Sequence, residues 1–61
     1  MKRVLIVDDS AFMRKVVTDL LEQMPEIKVA AVARNGKQAL DQLAKETFDL
    51  VVMDVEMPVM N

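Results

Sequence analysis

The chain has 61 residues, 52% hydrophobic and 30% charged, with a formal net charge of −2 and neither Cys nor His. That balance suits one folded domain rather than a disordered segment, offers no bulk charge to attract nucleic acid or an anionic membrane, and excludes disulfides and the ordinary structural zinc site. A chain of this size buries only about 60% of the surface it exposes when unfolded, so a staple is expected, and those left open are a hard cation held by carboxylates or self-association.

Val4-Leu5-Ile6-Val7 is an unbroken aliphatic run that predicts a strand buried on both faces. It is far too short to span a bilayer, as is Val29 to Ala33, and Asp8-Asp9 end it before a signal peptide would be complete. The lack of Cys fits a cytoplasmic protein. Asp8, Asp9 and Ser10 are good N-cap types. Met13, Val16, Val17, Leu20, Leu21 and Met24 then recur at helical spacing, with Arg14, Lys15, Thr18, Asp19, Glu22 and Gln23 on the wet side. Pro25 is expected to stop this helix near Met24.

Ile27 to Ala33 predicts a second strand, with Val29 and Val32 as its strongest members and Lys28 marking a sheet edge. Asn35-Gly36 is a hairpin signal, yet Ala39, Leu40, Leu43 and Ala44 continue at helical spacing. Asn35 is therefore read as the cap of a second helix that runs to about Glu46. Leu50-Val51-Val52-Met53 predicts a third strand buried on both sides, which halts at Asp54, and Met57-Pro58 makes a turn.

A β-α-β-α-β order is the signature of a parallel α/β sheet with right-handed crossovers. The long apolar runs belong in the middle and the strand with Lys28 outside, which predicts the spatial order 2-1-3 with the two helices on opposite faces. The gap between strands 1 and 3 is then a topological switch point, where open α/β sheets bind ligands at the carboxyl ends of their strands.

Asp8 and Asp9 follow strand 1 and Asp54 follows strand 3. Neighbouring strands lie about 4.8 Å apart, so these acids converge, and their mutual repulsion calls for a divalent hard cation. Mg²⁺ favours one or two carboxylates with water and phosphate oxygens, and the backbone carbonyl of Glu56 can add a further oxygen. The plainer reading makes Asp8-Asp9-Ser10 a helix cap and Asp54 a turn residue. Capping accounts for one Asp rather than three. Asn35-Gly36 is read as a cap, the six Met residues as core filler and tail, and Arg14, Lys15, Lys37 and Lys45 as solvated.

Val-Asp-Asp-Ser at 7–10 and Asp-Val-Glu-Met-Pro at 54–58, each after an apolar strand, resemble the receiver domain of two-component signalling, over the whole chain. Asp-Ser-Ala-Phe-Met-Arg at 9–14 and Asp-Val-Glu-Met-Pro-Val-Met-Asn at 54–61 further resemble the receiver of the chemotaxis methylesterase response regulators. The resemblance implies a flavodoxin-like, doubly wound fold and a phosphoacceptor role for Asp54. It implies Mg²⁺ held by Asp8, Asp9, Asp54 and the Glu56 carbonyl, with Asp9 the more direct of the first two, and a histidine kinase as partner.

A complete receiver has two further strands and three further helices, with a Ser or Thr ending its fourth strand and a Lys ending its fifth. Residues 1–61 are thus expected to be the amino-terminal half of such a domain, truncated and impaired. Ser10 is the only Ser and His is absent, so Ser-His-Asp hydrolysis is excluded for this polypeptide and no enzyme activity is expected. Strand 3 is expected to present an unpaired apolar edge, and a second copy to cover it in a homodimer or larger assembly. The alternative to the phosphoacceptor module is a self-associating structural fragment, excised or engineered, with no activity of its own.

Overall fold

The computed structural model describes residues 1–53. It contains β1 (Lys2–Val7), α1 (Ala11–Leu21), β2 (Ile27–Ala33), α2 (Gly36–Lys45) and β3 (Leu50–Met53). Val4, Leu5 and Ile6 are 0, 0 and 1% exposed, so the first apolar run sits at the centre as its composition requires. β1 pairs in parallel with β2 on one side and β3 on the other, giving the order β2-β1-β3. Lys28 lies on the edge strand, where its ammonium reaches water.

The pleat divides β1 between two layers. Leu5 and Val7 pack with Ala33 of β2 and Ala39 of α2, and Ala31 and Phe48 close around them. Three alanines at that junction let α2 lie close to the sheet. Val4 and Ile6 point to the other face, where Val16, Val17 and Leu21 of α1 are half-buried. A register shift between Val4 and Leu5 leaves Ala30 of β2 without a partner; Val29 then pairs with Val4, and Ala31 with Leu5.

Several expected boundaries move, each for a local reason. β1 begins at Lys2, two residues before the apolar run, because Lys2 and Arg3 continue the ladder with Ile27 and Lys28. α1 stops at Leu21 rather than near Met24. The Met24 amide donates to the Leu21 carbonyl (3.0 Å), a tighter turn that ends the helix before Pro25 has to. α2 ends at Lys45, with Glu46 as its C-cap. Val32 is 45% exposed, and Ala33 is the buried member of β2.

The largest departure is β3. Leu50, Val51 and Met53 are 47, 36 and 53% exposed, and only Val52 is half-buried. Among the described residues β3 pairs with β1 alone, and neither helix packs on it. Its apolar side chains are therefore largely exposed on both faces, and among the described residues one edge is unpaired.

Arg3 fixes where β3 begins. Its amide donates to Asp49 Oδ2 (2.7 Å) and its carbonyl accepts from the Asp49 amide (2.8 Å). Its Nε donates to the Thr47 carbonyl (3.1 Å), its Nη2 pairs with Glu46, and its guanidinium lies 5.6 Å from the centre of the Phe48 ring. One side chain thus gathers the turn between α2 and β3, and the ladder runs on from Val4↔Leu50 to Val7↔Met53. Among the described residues no helix is long and apolar enough to cross a membrane.

Candidate functional site

β1 ends at Val7, which pairs with Ala33 on one side and Met53 on the other. The residues that follow β1 and β2, Asp8 and Arg34, therefore leave the same end of the sheet. A cavity of about 220 Å³ opens there, lined by Val7, Asp8, Asp9, Arg34, Asn35, Gly36 and Met53. It stands at the switch point between β1 and β3, where the topology locates a ligand site.

Asp8 is 7% exposed, the one buried charged residue among those described. Its amide donates to the Ala33 carbonyl (3.0 Å), and its Oδ1 accepts from the Ser10 amide (2.9 Å). Ser10 caps α1, its hydroxyl accepting from the Met13 amide (3.2 Å). The cap is thus Ser10, and neither aspartate is consumed by that role. Asp9 is exposed and accepts no hydrogen bond from the described residues. Both acids keep carboxylate oxygen for a ligand.

The expected third carboxylate, Asp54, lies outside the described residues, as do the Glu56 carbonyl and the Met57-Pro58 turn. Among the described residues no third acid joins Asp8 and Asp9. The donors present are hard carboxylate oxygens, the type Mg²⁺ takes, and they line a cavity with room for water beside an ion. The residues present fit that ion.

Asn35 takes its expected place as the cap of α2, accepting from the Gln38 amide (2.8 Å), while Gln38 Oε1 accepts from the Arg34 amide (3.0 Å). This reciprocal arrangement fixes the loop on the far wall of the cavity. Two basic residues near this end of the sheet are not foreseen from the sequence. Arg34 lines the same cavity as the acids, and only the pairing of Ala33 with Val7 reveals it. Arg14, expected in solvent, is half-buried, and its Nη1 donates to the Asp8 carbonyl (2.8 Å). A basic residue on the wet side of a helix gives no sign of such a reach.

The family model of the response regulator receiver domain matches residues 4–61. The chain belongs to that family. This receiver is 54% identical over 59 residues to a protein-glutamate methylesterase/protein-glutamine glutaminase of Geobacillus kaustophilus, covering 97% of the chain and 17% of that protein. It is 52% identical over 61 residues to the protein of the same name from Bacillus subtilis, covering all of the chain and 17% of that protein. Among solved structures it superposes on the response regulator domain of Thermotoga maritima CheB with a TM-score of 0.86 and 43% identity, covering 100% of this chain and 46% of that one. It likewise matches the crystal structure of the P1 domain of CheA3 in complex with CheY6 from R. sphaeroides, with a TM-score of 0.87 and 46% identity, covering 98% of this chain and 47% of that one. The receiver is thus similar to those of the methylesterase proteins, with a partial flavodoxin-like fold. It spans about half the length of the solved receivers and under a fifth of the curated relatives.

Proposed function

We propose that this receiver is a phosphoacceptor module of chemotaxis signal transduction, working in the cytoplasm, with Asp54 as the acceptor. A carboxylate oxygen of Asp54 attacks phosphorus, the bond from phosphorus to the donor's leaving group breaks, and the leaving group departs with that electron pair. Asp8, Asp9, Asp54 and the Glu56 carbonyl would hold Mg²⁺, with Asp9 the more direct ligand of the first two. Bound there, the ion offsets the repulsion among the acids and the charge on the transferring phosphoryl oxygens. Asp8, anchored at its amide and carboxylate, contributes a preorganised oxygen, while Asp9 is exposed and lines the same cavity. A histidine kinase is the donor partner, a proposal supported by the complex of the related CheY6 with the P1 domain of CheA3.

The observation that carries this reading is the shared cavity. Asp8 and Asp9 line it together with Met53, the residue immediately before Asp54. The test is intact-mass spectrometry after incubation with Mg²⁺ and a small acyl phosphate, beside Asp54→Asn. One added phosphoryl group on the parent and none on the variant is expected. A folded parent that gains none would refute the module and favour a structural fragment.

The exposed apolar strand β3 supports a second reading, in which residues 1–61 form a truncated receiver domain that associates with another copy of itself. Two β3 edges joined antiparallel about a two-fold axis, or exchange of elements between copies, would cover that surface.

A further inference from the structure

We infer that Arg14 is a positioning residue for the acid pair, and that it sets the place of Asp9 by holding the peptide between Asp8 and Asp9. This rests on the reading of Asp8 and Asp9 as holders of a divalent cation. Asp8 is anchored at three points: its amide on the Ala33 carbonyl, its Oδ1 under the Ser10 amide, and its carbonyl on Arg14 Nη1 at 2.8 Å. The first two fix the incoming strand and the Asp8 side chain. The third acts on Asp9.

The peptide unit is planar, so its carbonyl oxygen, its nitrogen and the next Cα move together. A guanidinium holding the Asp8 oxygen therefore orients the plane that carries the Asp9 Cα. The Asp9 side chain is exposed and accepts no hydrogen bond from the described residues. Its approach to a metal is thus governed by its backbone, and Arg14 holds the peptide before Asp9 from one turn into α1, as the Ser10 amide on Asp8 Oδ1 holds the one after it. Residues that orient metal ligands from outside the coordination sphere typically change affinity by about 10–100-fold when removed.

The charge of Arg14 predicts the opposite. A guanidinium beside two carboxylates repels an arriving cation, so its removal would tighten Mg²⁺ binding if charge outweighed geometry. The two effects have opposite signs, which makes the experiment decisive. Mg²⁺ would be titrated into the chain, with amide resonances of Asp9 and Ser10 as the signal, for the parent, Arg14→Ala and Arg14→Lys. The unfolding midpoint of each would be measured in parallel without metal.

Positioning requires that Arg14→Ala weaken Mg²⁺ at least roughly tenfold, and that Arg14→Lys, which can still donate to the carbonyl, recover part of the loss. Both variants are to be compared in their folded range, and if Arg14→Ala does not fold, Arg14→Lys against the parent decides, with weakening required. Unchanged or tighter binding in a folded variant, with the parent binding Mg²⁺, would overturn the role of Arg14 alone. A folded parent that binds no Mg²⁺ would overturn the metal reading and this inference with it.

Discussion

Ser10 and the two aspartates before it divide their labour by geometry. Ser10 spends its hydroxyl on the Met13 amide, so Ser10→Ala should cost about 1 kcal/mol of stability while leaving the cavity acids in place. In a domain of this size that lowers the thermal midpoint by roughly 4–8 °C, which calorimetry would read. Arg3 is the corresponding staple at the opposite end of the sheet. Its pair with Glu46 is more than one-third exposed on each side and contributes little by itself. Arg3→Ala also removes the bond to the Thr47 carbonyl and the contact with Phe48, so a loss of about 1–2 kcal/mol is expected in urea unfolding. At this scale the cap Asn35 and the polar trio Asp8-Asp9-Ser10 before α1 were legible, because their chemistry is local, although the structure chose Ser10 among the three as the cap. Arg14, Arg34 and the Arg3 clamp were not, because their partners are set by chain packing.

Elements differ sharply in how much of their apolar sequence they bury. β1 is enclosed on both faces by two helices and on both edges by strands. Leu5→Ala should therefore cost about 2–5 kcal/mol, a large share of the roughly 3–9 kcal/mol available to a domain of this length. Leu40→Ala on α2, where Leu40 is 69% exposed, should fall within about 0.5 kcal/mol of the parent. Denaturant unfolding of the two variants side by side checks the contrast. α1 carries a wide apolar stripe yet buries no residue fully, and Phe12 and Leu20 stand in water. Periodicity reported the existence and direction of such a face. How much of it is covered depends on what packs there.

For the molecule as a whole, the decisive feature is β3, with apolar side chains exposed and one edge unpaired among the described residues. A strand of that kind templates pairing with another chain. Sedimentation of the 61-residue chain should show a species whose mass rises with concentration. Val51→Lys, which places a charge on the exposed strand β3, should shift it toward monomer. A parent that stays monomeric across the range would refute self-association and leave the phosphoacceptor reading untouched. The solved relatives extend well beyond this chain, which covers about half of each.

The strand-helix alternation, the 2-1-3 order and the place of Asp8 and Asp9 at the carboxyl end of β1 come from sequence alone. The period of apolar residues sets each element, a lysine marks the edge, and right-handed crossovers leave one arrangement. Tertiary structure decided what depends on register and burial. The pairing of Val7 with Ala33 brought Arg34 to the cavity, and the approach of α1 to β1 put Arg14 on the Asp8 carbonyl. The uncovered state of β3 belongs to the same class, since hydrophobicity states that a strand wants burial and only its neighbours determine whether it obtains it.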